Sequence, residues 1–292
     1  MRLLAKFSLV FMLVYGVGTA VAAVLSYRFL RENAREQVVQ QARLMMETMR
    51  SARDYTTRQI KPLLQTLQAQ DRSFLPQTVP AYAATESFNI LRKAYPDYAY
   101  KEATLNPTNL RDRAVDWEAD IINSFRNHRE SHELIGERDT PTGRSLFLAR
   151  PMTADPPCLD CHDMPDKAPE AMVRRYGSSN GFGWKAGEVV AAQIVSVPMA
   201  VPVRMADTAF RNLIVYLGGI FVVSLALLDL LLLWTIVRPV GNLAASADQI
   251  SKGNLNAPEL PARGKDEISA LADSFNRMRR SLIKALKMLE EQ

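Results

Sequence analysis

Two strongly apolar stretches, each long enough to cross a bilayer, constrain this chain more than any other feature. Phe7–Tyr27 (FSLVFMLVYGVGTAVAAVLSY) holds no charged residue, and Leu213–Val237 (LIVYLGGIFVVSLALLDLLLLWTIV) holds one, Asp229. A spanning helix needs about 20 apolar residues, so each stretch predicts a transmembrane helix, with residues 1–6 ahead of the first. The small residues of AVAA would also suit a cleaved signal peptide. The helical spacing runs straight on through LSYRFLRENAREQVVQQA, however, which favours an uncleaved anchor. Arg2 and Lys6 precede the first span and Arg238 follows the second, but Arg28, Arg31 and Arg35 crowd the opposite end of the first. Counting positive charges therefore does not orient the chain. Asp229 is costly in lipid; its preferred reading is a carboxyl facing a partner helix in a dimer, ahead of a contact between spans or a proton-linked role.

Residues 28–210, between the spans, predict one globular domain. The net charge of +5 suits a protein lying against anionic head groups. No run of Lys and Arg with interleaved aromatics points to nucleic acid. Leu30, Ala34, Val38, Ala42, Met45 and Met49 recur at helical spacing and predict a long helix from Arg28 to Gln70, interrupted by Pro62. A second helix is predicted over Arg111–Phe125, with Trp117, Ile121, Ile122 and Phe125 on one side. Strands are predicted over Tyr98–Leu105, over Ser145–Met152 after the turn-like DTPTGR, and over Glu188–Met199. A helix followed by short strands around a loop-rich centre makes this an α+β domain with a small antiparallel sheet.

The tail, residues 238–292, is too polar for lipid. Val240, Leu243, Ala247 and Ile250 step at coiled-coil spacing, as do Ile268, Leu271, Phe275, Met278, Leu282, Ala285 and Leu289. Between the seams, SKGNLNAPELPARGKDE is too rich in Gly and Pro for one continuous helix. Two helices that cannot bury their seams alone predict a parallel four-helix bundle in a homodimer. This tail resembles a HAMP domain: Arg238-Pro239 lies just past a span, Gly253 in the connector, DEIS (Asp266–Ser269) at the second helix and FNRM (Phe275–Met278) within it. The resemblance implies a relay of conformational change, with Pro239 and Glu267 as relay positions. It also implies that residues 238–292 and 1–6 are cytoplasmic and that residues 28–210 lie in the periplasm.

Both cysteines of the chain lie in PPCLDCHDMP, Pro156–Pro165, with one of its three histidines. Cys158 and Cys161, one helical turn apart, can present both sulfurs to one side. With His162 next to them they form Cys-x-x-Cys-His, in which two thiols add to the vinyl groups of a haem and the imidazole takes the iron. Two alternatives stand beside this. His128 and His132, four apart in HRESH, could share a helix face and join the cysteines in a Cys2His2 zinc site. The cysteines could also form a plain disulfide.

The whole domain is similar to a family of periplasmic c-type-haem sensor domains with a PAS-like fold, often found before HAMP domains. The resemblance rests on RDYTTRQIKPLL (Arg53–Leu64), YPDYAYKEATLNPTNLRDRAVDWEADII (Tyr95–Ile122), ARPMTADPPCLDCH (Ala149–His162) and YGSSNGFGWKAGEVVAAQIVSVPM (Tyr176–Met199). It implies one covalent haem c per chain, attached at Cys158 and Cys161 by the cytochrome c maturation machinery, with His162 on the iron. It further implies a sensory role, for redox state or a small diatomic gas. With both thiols used, candidates for the far side of the iron are Tyr55, His128, His132, Met152, Met45 and Met49, or no residue. Arg53 and Arg150 are candidate partners for the haem propionates, against ordinary surface ion pairing, and Trp184 is a candidate for porphyrin packing or aromatic core.

The reading is thus an inner-membrane haem c sensor, not an enzyme, that signals through a HAMP dimer to a separately encoded cytoplasmic output protein. The alternatives are a membrane-anchored mono-haem electron-transfer cytochrome and a zinc- or disulfide-stapled small-molecule receptor. A two-state relay is of no use to an electron carrier, which favours the first.

Overall fold

The computed structural model describes residues 3–71, 73–254, 258–261 and 264–290. Arg2 and part of the connector within the tail lie outside the described residues. The chain divides into two units, Arg28–Ala209 and Met1–Tyr27 together with Phe210–Gln292.

The first unit begins within helix α1 (Leu3–Tyr55), followed by a π turn (Thr56–Ile60) and α2 (Lys61–Asp71). The interruption expected from Pro62 is this π turn. Proline has no N–H and its ring crowds the carbonyl four residues back; widening the preceding turn, so that the Lys61 N–H bonds the Thr56 carbonyl, relieves both. After α2 come α3 (Pro80–Arg92), β1 (Ala99–Thr104), α4 (Asp116–Asn127), β2 (Leu134–Thr140), β3 (Gly143–Thr153), a single turn α5 (Leu159–His162), α6 (Glu170–Tyr176) and β4 (Val189–Pro198).

The four strands form one antiparallel sheet in the order β1-β4-β3-β2. Both faces are covered. Leu146, Leu148, Val195 and Val197 point to one side, against Val38, Ala42 and Met46 of α1 and Phe88 of α3. Ala149, Ala192 and Ile194 point to the other, against Ile121, Ile122 and Phe125 of α4. That is why β4, which is paired on both sides and covered on both faces, is nearly continuous in apolar residues rather than alternating. β2 was not legible as a strand: it lies at the sheet edge and carries Glu137, Arg138 and Asp139, the charges that keep edges from aggregating. Its Gly136 lets the Phe147 ring of the paired strand lie across it, where a Cβ would come within 2.5 Å of that ring. The helix expected from Arg111 starts later, at Asp116, because Leu110–Asp112 forms a separate 3₁₀ turn. Glu118 then accepts the Val115 N–H at 3.0 Å and the Lys101 ammonium at 2.7 Å, which fixes the start of α4.

In the second unit, α1 and α7 (Ala200–Leu232) each carry a stretch long and apolar enough to cross a membrane, none of it buried. Tyr15 and Phe221 stack at 4.7 Å, and Tyr27 meets Phe210 edge-on at 5.2 Å. Asp229 accepts the Ser8 hydroxyl at 2.6 Å. Of the readings of Asp229, this is the contact between spans of one chain. A π turn (Leu233–Val237) precedes α8 (Arg238–Ser251) and its Pro239, the same arrangement as before Pro62. Arg238 lies over the Trp234 ring at 4.3 Å. Gly253, at φ +89°, ends α8. Asp266 accepts the Ser269 N–H at 2.8 Å and so caps α9 (Glu267–Glu290), whose buried Asn276 holds both the N–H and the carbonyl of Leu260. Leu243 and Ala272 are buried, whereas Leu271, Met278 and Leu282 of the predicted seam are exposed.

Asp112, in the 3₁₀ turn before α4, offers a test of the packing. Burial pushes its carboxyl up from 3.8 to about 6; Arg111 opposes the shift and Glu102 adds to it. A raised folded-state pKa means that stability declines as pH rises from the unfolded pKa to the folded one, and the deficit persists above it. Asp112→Asn is therefore expected to stabilise the protein by about 2 kcal/mol near neutral pH and by much less near pH 4. Unfolding midpoints measured at both ends of that range check this. An equal shift at both would contradict it.

Candidate functional site

The site is built where β3 leaves the sheet. Strand-like pairing continues past Thr153, with the Ala154 N–H on the Glu188 carbonyl and the Gly187 N–H on the Ala154 carbonyl, both at 2.9 Å. Pro156 and Pro157 then set the first turn of a 3₁₀ segment, which the Cys158 N–H closes on the Asp155 carbonyl at 2.8 Å. The segment passes directly into α5, so Cys158, Cys161 and His162 lie in about one helical turn. Both thiols are free and half-buried. Burial pushes the Cys161 thiol up, with Lys61 working against it.

His162 is held on three sides. Its ring stacks on Trp184 at 4.0 Å, with only 10° between the planes. Its Nδ1 lies 2.7 Å from the Gly181 carbonyl oxygen and 3.4 Å from the Thr108 hydroxyl. The backbone around it is tied down as well, by Trp184 N–H on the His162 carbonyl at 3.1 Å and Gly183 N–H on the Asp163 carbonyl at 2.7 Å. Burial lowers the imidazole below its ordinary pKa, outweighing the hydrogen bond to Gly181, so the ring is neutral at neutral pH. A carbonyl can only accept, hence Nδ1 carries the proton and Nε2 keeps its lone pair. That is the state and orientation of a metal-binding imidazole, with its other nitrogen donating to backbone.

Beside this turn lies an open cleft of about 470 Å³, whose walls include Arg50 and Arg53 of α1, His132, Arg150 and Met152 of β3, and Asp155. Arg53 is close enough to Cys158 for the two to interact electrostatically. It is also committed to the protein: it pairs with Glu102, which is buried and accepts the Tyr100 hydroxyl at 2.7 Å. Gln193, also on the cleft, donates to Tyr100 at 3.0 Å. Burial, with Glu102 alongside, raises the Tyr100 phenol far above its usual range, so it stays neutral and donates. Arg150 pairs with Glu47 and, at 3.0 Å, with Glu133, which Arg43 also holds at 2.9 Å. Both arginines thus face the cleft while anchoring its walls.

Of the other expected residues, Met152 packs beside Trp184 on Ala154, Val190 and Ala191, at the junction of cleft and His162 support. His128 is not on the cleft; it ends α4 with Nδ1 3.1 Å from the Ser124 carbonyl. Tyr55 is 60% exposed and lies off the cleft, and Met45 and Met49 belong to the packing of α1 on the sheet. His128 and His132 do not share a helix face, because α4 ends at Asn127. Among the described residues, no group of three or more metal-binding side chains forms, so the two histidines are not gathered with Cys158 and Cys161. Trp184 packs on His162. Asn106, Thr108 and Gly181, which complete the surroundings of His162, were not singled out from the sequence. The one hint was the glycine density of Tyr176–Gly187, where Gly177, Gly181, Gly183 and Gly187 all take positive φ.

An α+β domain with two membrane-length helices at its borders and a two-helix tail after the second is the organisation of a membrane-anchored signal-transduction protein. The chain belongs to the Tll0287-like family, which matches residues 31–198, and a HAMP domain follows at residues 231–284. Among solved structures, the cyanobacterial haem protein Tll0287 is similar at 14% identity and a TM-score of 0.42, over 55% of this chain and 94% of that one. Among curated proteins, the sensor histidine kinase MtrB of Mycolicibacterium paratuberculosis is 36% identical over 74 residues, 25% of this chain and 13% of that protein. This chain thus spans a small part of that relative's length.

Proposed function

We propose that this protein is a bacterial inner-membrane sensor that carries one covalent haem c in a periplasmic domain and relays its state through a HAMP dimer. In this reading residues 28–210 are periplasmic, 7–27 and 213–237 span the membrane, and 1–6 and 238–292 are cytoplasmic. The observation that carries it is His162: its Nδ1 is taken by the Gly181 carbonyl, its Nε2 is free, and two free thiols lie within one turn. Cys158 and Cys161 would each add sulfur to one vinyl carbon and hydrogen to the other, with no net oxidation, on the maturation machinery of the periplasm. The bound group supplies an iron that changes oxidation state or takes a diatomic gas. His162 would hold that iron, and His132 and Met152, both on the cleft, are the candidates for a second protein ligand. Arg53 and Arg150 would receive the propionates, sharing them with their present carboxylate partners.

The relay rests on α1, one helix from Leu3 to Tyr55 that contributes Arg50 and Arg53 to the cleft. Displacement of its cleft end passes along the same helix. At the HAMP domain, exposed Leu271, Met278 and Leu282 support burial against a second copy, which would bias a cytoplasmic output protein through Pro239 and Glu267.

Optical spectra of the purified full-length protein, oxidised and reduced, with and without carbon monoxide, test the reading. A Soret band that survives denaturation is expected. A reduced spectrum unmoved by carbon monoxide assigns redox sensing with a firmly held sixth ligand, and a shifted one assigns gas sensing or a labile ligand. Absence of haem after expression with the maturation machinery overturns the proposal.

A further inference from the structure

We infer that Asn106 and Gly181 are positioning residues that set the electronic character of His162. The inference rests on the haem reading above but concerns residues that reading does not use. The Gly181 residue is gripped at both ends. Its N–H donates to the Asn106 side-chain oxygen at 3.1 Å, and its carbonyl accepts the His162 Nδ1–H at 2.7 Å. The Asn106 amide nitrogen reaches the Phe182 carbonyl at 3.4 Å, so one side chain braces two consecutive residues of the loop. Asn106 sits just past β1, 75 residues from Gly181 in sequence, and only the tertiary fold brings them together.

Gly181 itself cannot be another residue without disturbing this. Its φ is +84°, and a Cβ there would lie 2.0 Å from the Thr108 hydroxyl and 2.8 Å from the Thr108 backbone. The loop therefore rests directly on the segment that carries Asn106. The Thr108 hydroxyl also faces Nδ1, but at 3.4 Å it is at the limit of hydrogen bonding, against 2.7 Å for the carbonyl. A firm acceptor at Nδ1 increases the basicity of Nε2. A more basic axial ligand favours the oxidised iron and holds the midpoint potential down. Releasing the Asn106 brace loosens the carbonyl and should raise the potential.

The test is spectroelectrochemical titration of the full-length protein and its Asn106→Ala, Asn106→Asp and Thr108→Val variants, with haem content per chain measured alongside. Asn106→Ala is expected to load haem and to favour the reduced state by about tenfold at a fixed potential, a positive shift of about 59 mV for one electron. Thr108→Val is expected to leave the potential where it was. Should Asn106→Ala load no haem, Asn106→Asp, which retains the oxygen that takes the Gly181 N–H, is expected to restore loading. Equal potentials in wild type and a fully loaded Asn106→Ala overturn the inference, as does a Thr108→Val shift as large as that of Asn106→Ala, or failure of Asn106→Asp to rescue. A wild type without haem instead overturns the reading beneath it, so the two failures are distinguishable.

Discussion

The Cys158→Ala/Cys161→Ala double variant is expected to lose all haem that survives denaturing electrophoresis, while its far-ultraviolet circular dichroism stays that of the wild type. The two halves of this result have separate causes. Covalent retention requires a thioether, and no other cysteine exists in the chain to make one. Retention of the fold follows because neither sulfur belongs to the buried clusters on the two faces of the sheet. The turn that carries them is set by Pro156, Pro157 and the Cys158 N–H bond to the Asp155 carbonyl, none of which needs a thiol. Each single variant is expected to keep one attachment and remain stained on the gel. Persistence of stain in the double variant would place the attachment elsewhere and remove the basis for His162 as the iron ligand.

Arg53→Met is expected to be the most destabilising single change on the cleft wall, by about 3–5 kcal/mol. Glu102 is 5% exposed, and without Arg53 its remaining side-chain donor among the described residues is the Tyr100 hydroxyl. A buried carboxylate without its cation bears the desolvation cost alone, which is why removing one partner costs far more than removing both. For a chain of this size the loss corresponds to a fall of about 10 °C in apparent Tm. The Arg53→Met/Glu102→Gln double variant should recover most of it, since a neutral amide can still accept from Tyr100. Thermal unfolding of the three proteins closes the cycle, and a double variant no more stable than Arg53→Met would show that the pairing is not the cause.

The structure also explains why some elements could be read in advance and others could not. The central strand β4 and the helical face of Ile121, Ile122 and Phe125 announce themselves through local apolar pattern, because each is buried along most of its length. α3 offers little more than Ala84 and Phe88 to the core, and β2 is an edge strand with charges on it, so neither carries a strong period. The histidine pair of HRESH illustrates the opposite failure. Spacing of four implies a shared face only if a helix persists, and here the helix stops at Asn127.

Sequence alone determined the two helices long and apolar enough to span a membrane, the paired apolar seams of the tail and the Cys-x-x-Cys-His turn. Each depends on residues within a few positions of one another, where chain geometry is nearly independent of the rest of the molecule. The tertiary structure alone decided that Gly181 faces His162, that Asn106 braces Gly181, and that Arg53 answers Glu102. Those partners are separated by long stretches of chain. Their meeting is dictated by how the sheet is ordered and how α1 packs across it, which no local pattern of residues records.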